Sequence, residues 1–134
     1  MSNLPASPAV NETSKKVSQS FPRDARLLKH ADFQVVYKTG RKHFSGNMTA
    51  FYRDNGRPSG PRVGFTVGKV LGGAVVRNRI RRRMRAVVRQ HLFELARPLD
   101  LILHPRKSVL TLKFEQLDAE IKHVFSAVQR GQGR

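Results

Sequence analysis

Cysteine is absent from the 134 residues, which excludes a disulfide framework, a thiolate metal site and a cysteine nucleophile. Tryptophan is absent too, and hydrophobic residues make up only 39% of the chain, so the core must be modest. No apolar run approaches the ~18 residues of a membrane span, and the N-terminus lacks the apolar stretch of a secretory signal. Acid is scarce as well: 9 Asp and Glu stand against 26 Lys and Arg, a formal net charge of +17 at pH 7. That balance disfavours a binder of cationic ligands and directs attention to a polyanion, either nucleic acid or an anionic membrane surface. The length suits one domain, and the chain reads as soluble and cytoplasmic.

Residues 1–22 read as a disordered N-terminal tail rich in Ser, Pro, Asn and Lys. Residues 23–129 form the single domain, and 130–134 a frayed C-terminus. Phe33, Val36 and Tyr37 at i, i+3 and i+4 predict a helix over 30–39, stopped by Gly40. Residues 48–53 alternate as a strand, with Met48, Ala50 and Tyr52 on one side and Thr49 and Phe51 on the other. The turn-rich run Asn55 to Pro61 predicts an antiparallel return over 62–68. One face of that return carries Val63, Phe65 and Val67. The other carries only Gly64, Thr66 and Gly68, so something can approach its backbone closely. A long helix is expected over 74–95, a short buried strand over 101–103 ended by Pro105, and a final helix over 114–129. The last helix has an apolar stripe of Phe114, Leu117, Ile121, Val124, Phe125 and Val128. Together these elements imply an α+β sandwich.

The long helix carries the main signal. From Asn55 to Phe93 there is no acidic residue, yet ten Lys or Arg occur. On a helical wheel Val76, Ile80, Met84, Val87, Val88, His91 and Leu95 gather on one face. Asn78, Arg82, Arg85 and Arg89 line the opposite face, while Arg77 and Arg81 lie at the border beside the apolar seam. A solvated charge face is the bland account, but neighbouring arginines repel and no acid at i+4 relieves them. Arginine also favours bidentate phosphate contacts and stacking, so RNA or DNA is the better partner. A membrane-surface helix fits less well, because the apolar side lacks Trp and has a sheet to pack on. Phe33, Tyr37 and Phe51 favour RNA, since together they can line a trough for unstacked bases. The competing account makes all three core residues.

Nothing points to catalysis by the protein alone. The acids are scattered, and His30, His43, His91, His104 and His123 show no ligand spacing. Gly72-Gly73 lacks the pattern of a nucleotide loop and more simply eases entry into the helix.

The run Gly72-Gly73-Ala74-Val75-Val76-Arg77-Asn78-Arg79-Ile80-Arg81-Arg82, with Arg85 and Arg89 downstream, resembles the signature of the bacterial ribonuclease P protein subunit. The similarity spans roughly Arg26 to Phe125 and includes Arg26-Leu27, Asp32-Phe33, Val36-Tyr37, Gly40, Arg62-Val63-Gly64, Val67, Lys69 and Asp100-Leu101-Ile102. The resemblance implies an α-β-β-β-α-β-α sandwich like domain 2 of ribosomal protein S5, with a left-handed βαβ crossover and an extra short strand at 42–45. It implies two partners, the catalytic ribonuclease P RNA and precursor tRNA; the residues themselves point to no membrane, and no protein partner is evident in them. The holoenzyme, an endoribonuclease, removes the 5′ leader of precursor tRNA. The RNA supplies the Mg²⁺-dependent chemistry, and the protein itself holds no cofactor or metal and is inert alone. Carried over by position, Arg77, Asn78, Arg79, Arg81, Arg82, Arg85, Arg89 and Lys69 bind RNA. Phe33, Tyr37, Phe51 and Thr66 form a cleft for the leader, bordered by Arg77, Asn78 and Arg81. The chain departs from the family at Lys69-Val70, where two lysines are frequent, and at His104-Pro105-Arg106, where an Ala-Arg run is usual. A ribosomal or general RNA-binding protein is the rival reading, and a DNA-binding protein a third.

Overall fold

A computed structural model describes residues 21–131. The expected tail lies outside these except for its last two residues, and residues 132–134 of the expected frayed end lie outside them too. Phe21, assigned to the tail, is buried and stands edge-on to Phe65 at 6.4 Å.

The elements are α1 (His30–Thr39), β1 (Arg41–Phe44), β2 (Met48–Asp54), β3 (Arg62–Phe65), α2 (Ala74–His91), β4 (Leu99–Pro105) and α3 (Phe114–Gln129). The chain is thus α+β, with a four-stranded mixed sheet in the order β1-β2-β4-β3. β1 pairs antiparallel with β2, and β2 with β4, whereas β3 runs parallel to β4.

Three expectations about strands change, the first being that β3 ends at Phe65 rather than at 68. β3 runs opposite to β2 as predicted, but it is not β2's neighbour, because β4 lies between them. Leu101, Ile102 and Leu103 are all fully buried, so both faces of β4 are covered, Leu101 and Leu103 in the main core and Ile102 in the small core beside α1, as suits a central strand. β4 is also longer than the 101–103 expected, with Pro105 as its last residue opposite Met48, an end position that proline tolerates. The long helix ends its α-helical part at His91 and tightens into a single 3₁₀ turn over Leu92–Glu94.

The main core lies between the sheet and helices α2 and α3. Ile80, Met84, Val87 and Val88 of α2 meet Leu117, Ile121, Val124 and Phe125 of α3, all at 0% exposure. The wheel faces are therefore the faces that pack, although Phe114, at the first position of α3, is 41% exposed. Each large side chain so buried contributes about 1.5–3 kcal/mol against exposure. α1 covers part of the other sheet face, with Leu27, Val36 and Ile102 as a second small core. Gly72, at φ 137°, turns the chain into α2 in a conformation that side chains rarely adopt.

Candidate nucleic-acid interface

The spacing of α1 from the sheet is set by one buried carboxylate. Asp100 on β4 is 3% exposed and receives a bidentate pair from Arg62, Nε to Oδ1 at 2.8 Å and Nη2 to Oδ2 at 2.7 Å. Asn55 adds a third bond to Oδ1 at 2.7 Å. The same guanidinium reaches Asp32 in the first turn of α1 at 3.2 Å. Burial of an acid in an apolar strand is tolerated because these bonds satisfy it, and one arginine then ties β3, β4 and α1 together.

The face bearing Gly64 on β3 and Thr66 just past its end is approached closely, and by the chain itself. A Cβ at Gly64 would stand 2.8 Å from both the Leu27 carbonyl oxygen and Phe33 Cζ. Phe33 thereby lies directly on the strand. It lines two depressions: one of about 230 Å³ that also touches Gly64, Arg81 and Arg85, and one of about 350 Å³ that touches Tyr37 and Thr66. Tyr37 continues the floor. Its hydroxyl is 2.6 Å from Thr66 Oγ1 and 3.1 Å from His104 Nε2, and its ring meets Phe51 edge-on at 5.0 Å. Phe33, Tyr37, Phe51 and Thr66 are all half-buried, so the aromatics both pack on the small core and line open space.

His104 belongs to this floor, although its sequence position gave it no role. It meets Phe51 at 5.2 Å, and burial pushes its imidazole below the ordinary value, which favours the neutral ring. The missed signal was the length of β4. A strand read as ending at 103 leaves residue 104 in a loop.

The arginines of α2 divide by direction. Arg82, Arg85, Arg79 and Arg89 are exposed, as is Lys69 in the turn before the helix. Arg81 and Arg85 reach the Phe33 depression, so Arg85 turns further toward the trough than the wheel indicates. Arg77 turns back to the Gly72 carbonyl at 3.1 Å, and Asn78 accepts a bond from Arg81 at 2.9 Å. Arg83 is a structural member of the run. Its two terminal nitrogens donate to the carbonyls of Val109 and Leu112, both at 2.7 Å, and fasten the loop before α3.

Acid is withheld from the arginines of this helix. Of eight acidic residues among those described, seven have partners other than these arginines. Asp24, Asp54, Asp32 and Asp100 hold Arg57, Arg97 and Arg62; Glu94 and Asp118 flank His91; Glu120 holds Ser45 and Asn47. Among the described residues no carboxylate pairs with an α2 arginine. A row of guanidiniums left without counter-charge beside an aromatic trough suits a polyanion with stackable bases.

Among the described residues no group of three or more potential metal ligands stands together, and no helix is long and apolar enough to cross a membrane.

Residues 21–129 match the family model of ribonuclease P. The ribonuclease P protein component of Finegoldia magna is 34% identical over 102 residues, covering 76% of this chain and 88% of that protein. That of Bacillus velezensis is 37% identical over 100 residues, covering 75% and 85%. Among solved structures, the Staphylococcus aureus RNase P protein superposes with a TM-score of 0.68 at 29% identity, covering 78% of this chain and 94% of that one. The Thermotoga maritima RNase P protein shares the fold with a TM-score of 0.69 at 23% identity, covering 81% and 98%.

Proposed function

The chain belongs to the family of ribonuclease P protein components, and on that premise we propose that it binds the RNA subunit of ribonuclease P and holds the 5′ leader of precursor tRNA. The observation that carries this reading is the junction at Phe33, where the uncompensated arginine helix and the aromatic trough meet. Arg79, Arg82 and Arg89, with Lys69 and the outer part of Arg85, contact RNA phosphates. Arg77, Asn78 and Arg81 border the trough, where Phe33, Tyr37 and Phe51 stack leader bases and Thr66 supplies a polar edge. Stacking tolerates any base, which suits leaders of varied sequence. The hydrolysis, with its Mg²⁺, belongs to the RNA subunit, and the protein's part is to bind and orient.

The finer fold reading goes with this proposal: a sandwich like domain 2 of ribosomal protein S5, with a left-handed β3–α2–β4 crossover. The parallel pairing of β3 with β4 across α2 supplies the crossover, while its left hand and the likeness to that domain rest on the family resemblance.

The test is reconstitution with a bacterial ribonuclease P RNA at low Mg²⁺. The protein should stimulate cleavage, and Tyr37→Ala should weaken binding of precursor tRNA by roughly five-fold or more while leaving mature tRNA almost unchanged. Absence of stimulation favours a general RNA-binding protein. Equal losses for both tRNAs in a folded variant would return the aromatics to a purely structural role.

A further inference from the structure

The trough does not end at Phe51. Across the sheet, residues opposite one another in register share a face. His104 on β4 is opposite Thr49 on β2, and Thr49 is opposite Phe44 on β1. Phe51 is likewise opposite Lys42. His104, Thr49 and Phe44 therefore form one row on the face that α1 leaves open, running outward from Tyr37 to the edge of the sheet. Phe44 is 68% exposed, and at about 4.8 Å per strand it stands roughly 10 Å from His104.

Positive charge flanks this row. Lys42 Nζ lies 5.7 Å from the Phe51 ring centroid. Arg106 is held over the row by three bonds, to Thr49 Oγ1 at 3.2 Å and to the carbonyls of Ser45 and Gly46 at 3.0 and 3.2 Å. An exposed aromatic ring between a lysine and an anchored arginine offers what one more nucleotide needs: a face for its base and charge for its phosphates. An edge strand carrying Arg41 and Lys42 also discourages pairing with a second copy.

We infer that Phe44, with Lys42 and Arg106, forms an additional subsite for single-stranded RNA, taking a leader nucleotide beyond those stacked on Tyr37 and Phe51. This rests on the leader-cleft reading above and lengthens the surface assigned there. The subsite engages only when the leader is long enough to cross the sheet.

The experiment measures the affinity of reconstituted holoenzyme for precursor tRNAs whose leaders are lengthened one nucleotide at a time. For the wild-type protein, affinity should step up once more after the leader has filled the trough. Phe44→Ala should abolish that last step, a loss of about five-fold, and leave shorter leaders and mature tRNA unaffected. Phe44→Trp should restore it, whereas Phe44→Leu, which keeps apolar bulk without a stacking face, should not. Suppose instead that Tyr37→Ala discriminates precursor from mature tRNA, but Phe44→Ala is silent at every leader length. The subsite is then refuted and the trough stands. If neither variant discriminates, the leader-cleft reading fails and carries the subsite with it. A wild-type dimer that Phe44→Ala converts to monomer would assign the ring to a contact between copies, and would overturn the proposal.

Discussion

Replacing Gly64 by alanine adds one methyl group at the point where α1 rests on the sheet. The new carbon would stand 2.8 Å from the Leu27 carbonyl oxygen, 2.8 Å from Phe33 Cζ and 3.0 Å from Leu27 Cβ. Leu27 has little freedom to retreat, since its N–H donates to the Val63 carbonyl at 2.9 Å and the residue is 2% exposed. Forcing a methyl into such a site costs about 1–3 kcal/mol. Gly64 has no left-handed backbone, so alanine also restricts the unfolded chain, which returns ~0.4–1 kcal/mol. The net loss should be ~1–2 kcal/mol, which for a domain of this size lowers Tm by roughly 4–8 °C. Gly68→Ala is the control, because a Cβ there meets nothing within 4 Å. Thermal unfolding followed by circular dichroism reads both variants. Gly68→Ala should be near neutral, and Gly64→Ala, at a temperature where it is folded, should also bind precursor tRNA less well as Phe33 is displaced. A Gly64→Ala protein as stable as wild type would mean that the Leu27 segment yields freely, and the close packing of α1 would not govern the trough.

Three further outcomes are expected, at Arg82, Arg83 and His91. Arg82→Ala should flatten the dependence of RNA affinity on salt by about one unit of slope. Arg83→Ala should leave that slope alone and instead lower stability by ~1–3 kcal/mol, because its bonds go to the Val109 and Leu112 carbonyls; measured slopes for the two variants that coincide would refute the division. His91 gives a pH signature. Burial opposes its charge, but hydrogen bonds from its two nitrogens to Glu94 at 2.7 Å and Asp118 at 2.6 Å outweigh burial and raise its pKa above the ordinary 6.5. A raised histidine contributes its full stability below about pH 6.5 and loses it as pH climbs through the folded value. Urea unfolding should therefore show the stability difference between wild type and His91→Gln shrinking from pH 6 toward pH 8. His43 and His104 are lowered and act in the opposite sense, so the difference between the two proteins is the quantity to follow. A difference that stays flat would remove the charged His91 from the account.

Periodicity made the helices legible. The Ile80, Met84, Val87 and Val88 face and the Leu117, Ile121, Val124 and Phe125 stripe are the surfaces that pack. β1 carried no such signal, because Arg41, Lys42 and Phe44 on this edge strand are exposed and only His43 is half-covered. An edge strand owes its place to backbone pairing with β2, which side-chain alternation does not report; resemblance to the family supplied it instead. The position of β4 between β2 and β3 was hidden for a related reason, since strand order depends on contacts remote in sequence. Phe33, Tyr37, Phe51 and Thr66 come together as expected. The Arg62–Asp100 pair that spaces them was not foreseen, although an acid leading a buried apolar strand was a readable clue. Arg83 was inseparable from its neighbours by composition, and only the three-dimensional direction of its side chain distinguishes it.

Arg83 also shows where the meaning of the run resides. Seven arginines of α2 share one chemistry, yet one fastens a loop, one closes on Gly72, and others face the trough or the solvent. Their roles are assigned by helical phase, with each residue turned 100° from the last. Exchanging arginine for lysine at one position alters one contact. Deleting a single residue ahead of Ile80 rotates everything beyond it by that angle, sending Ile80 and Met84 out of the core and bringing Arg81, Arg85 and Arg89 into the buried positions, while composition and charge stay nearly the same. The segment is thus written in a reading frame of its own, set by the pitch of the helix, and its tolerance to change is decided by length before chemistry.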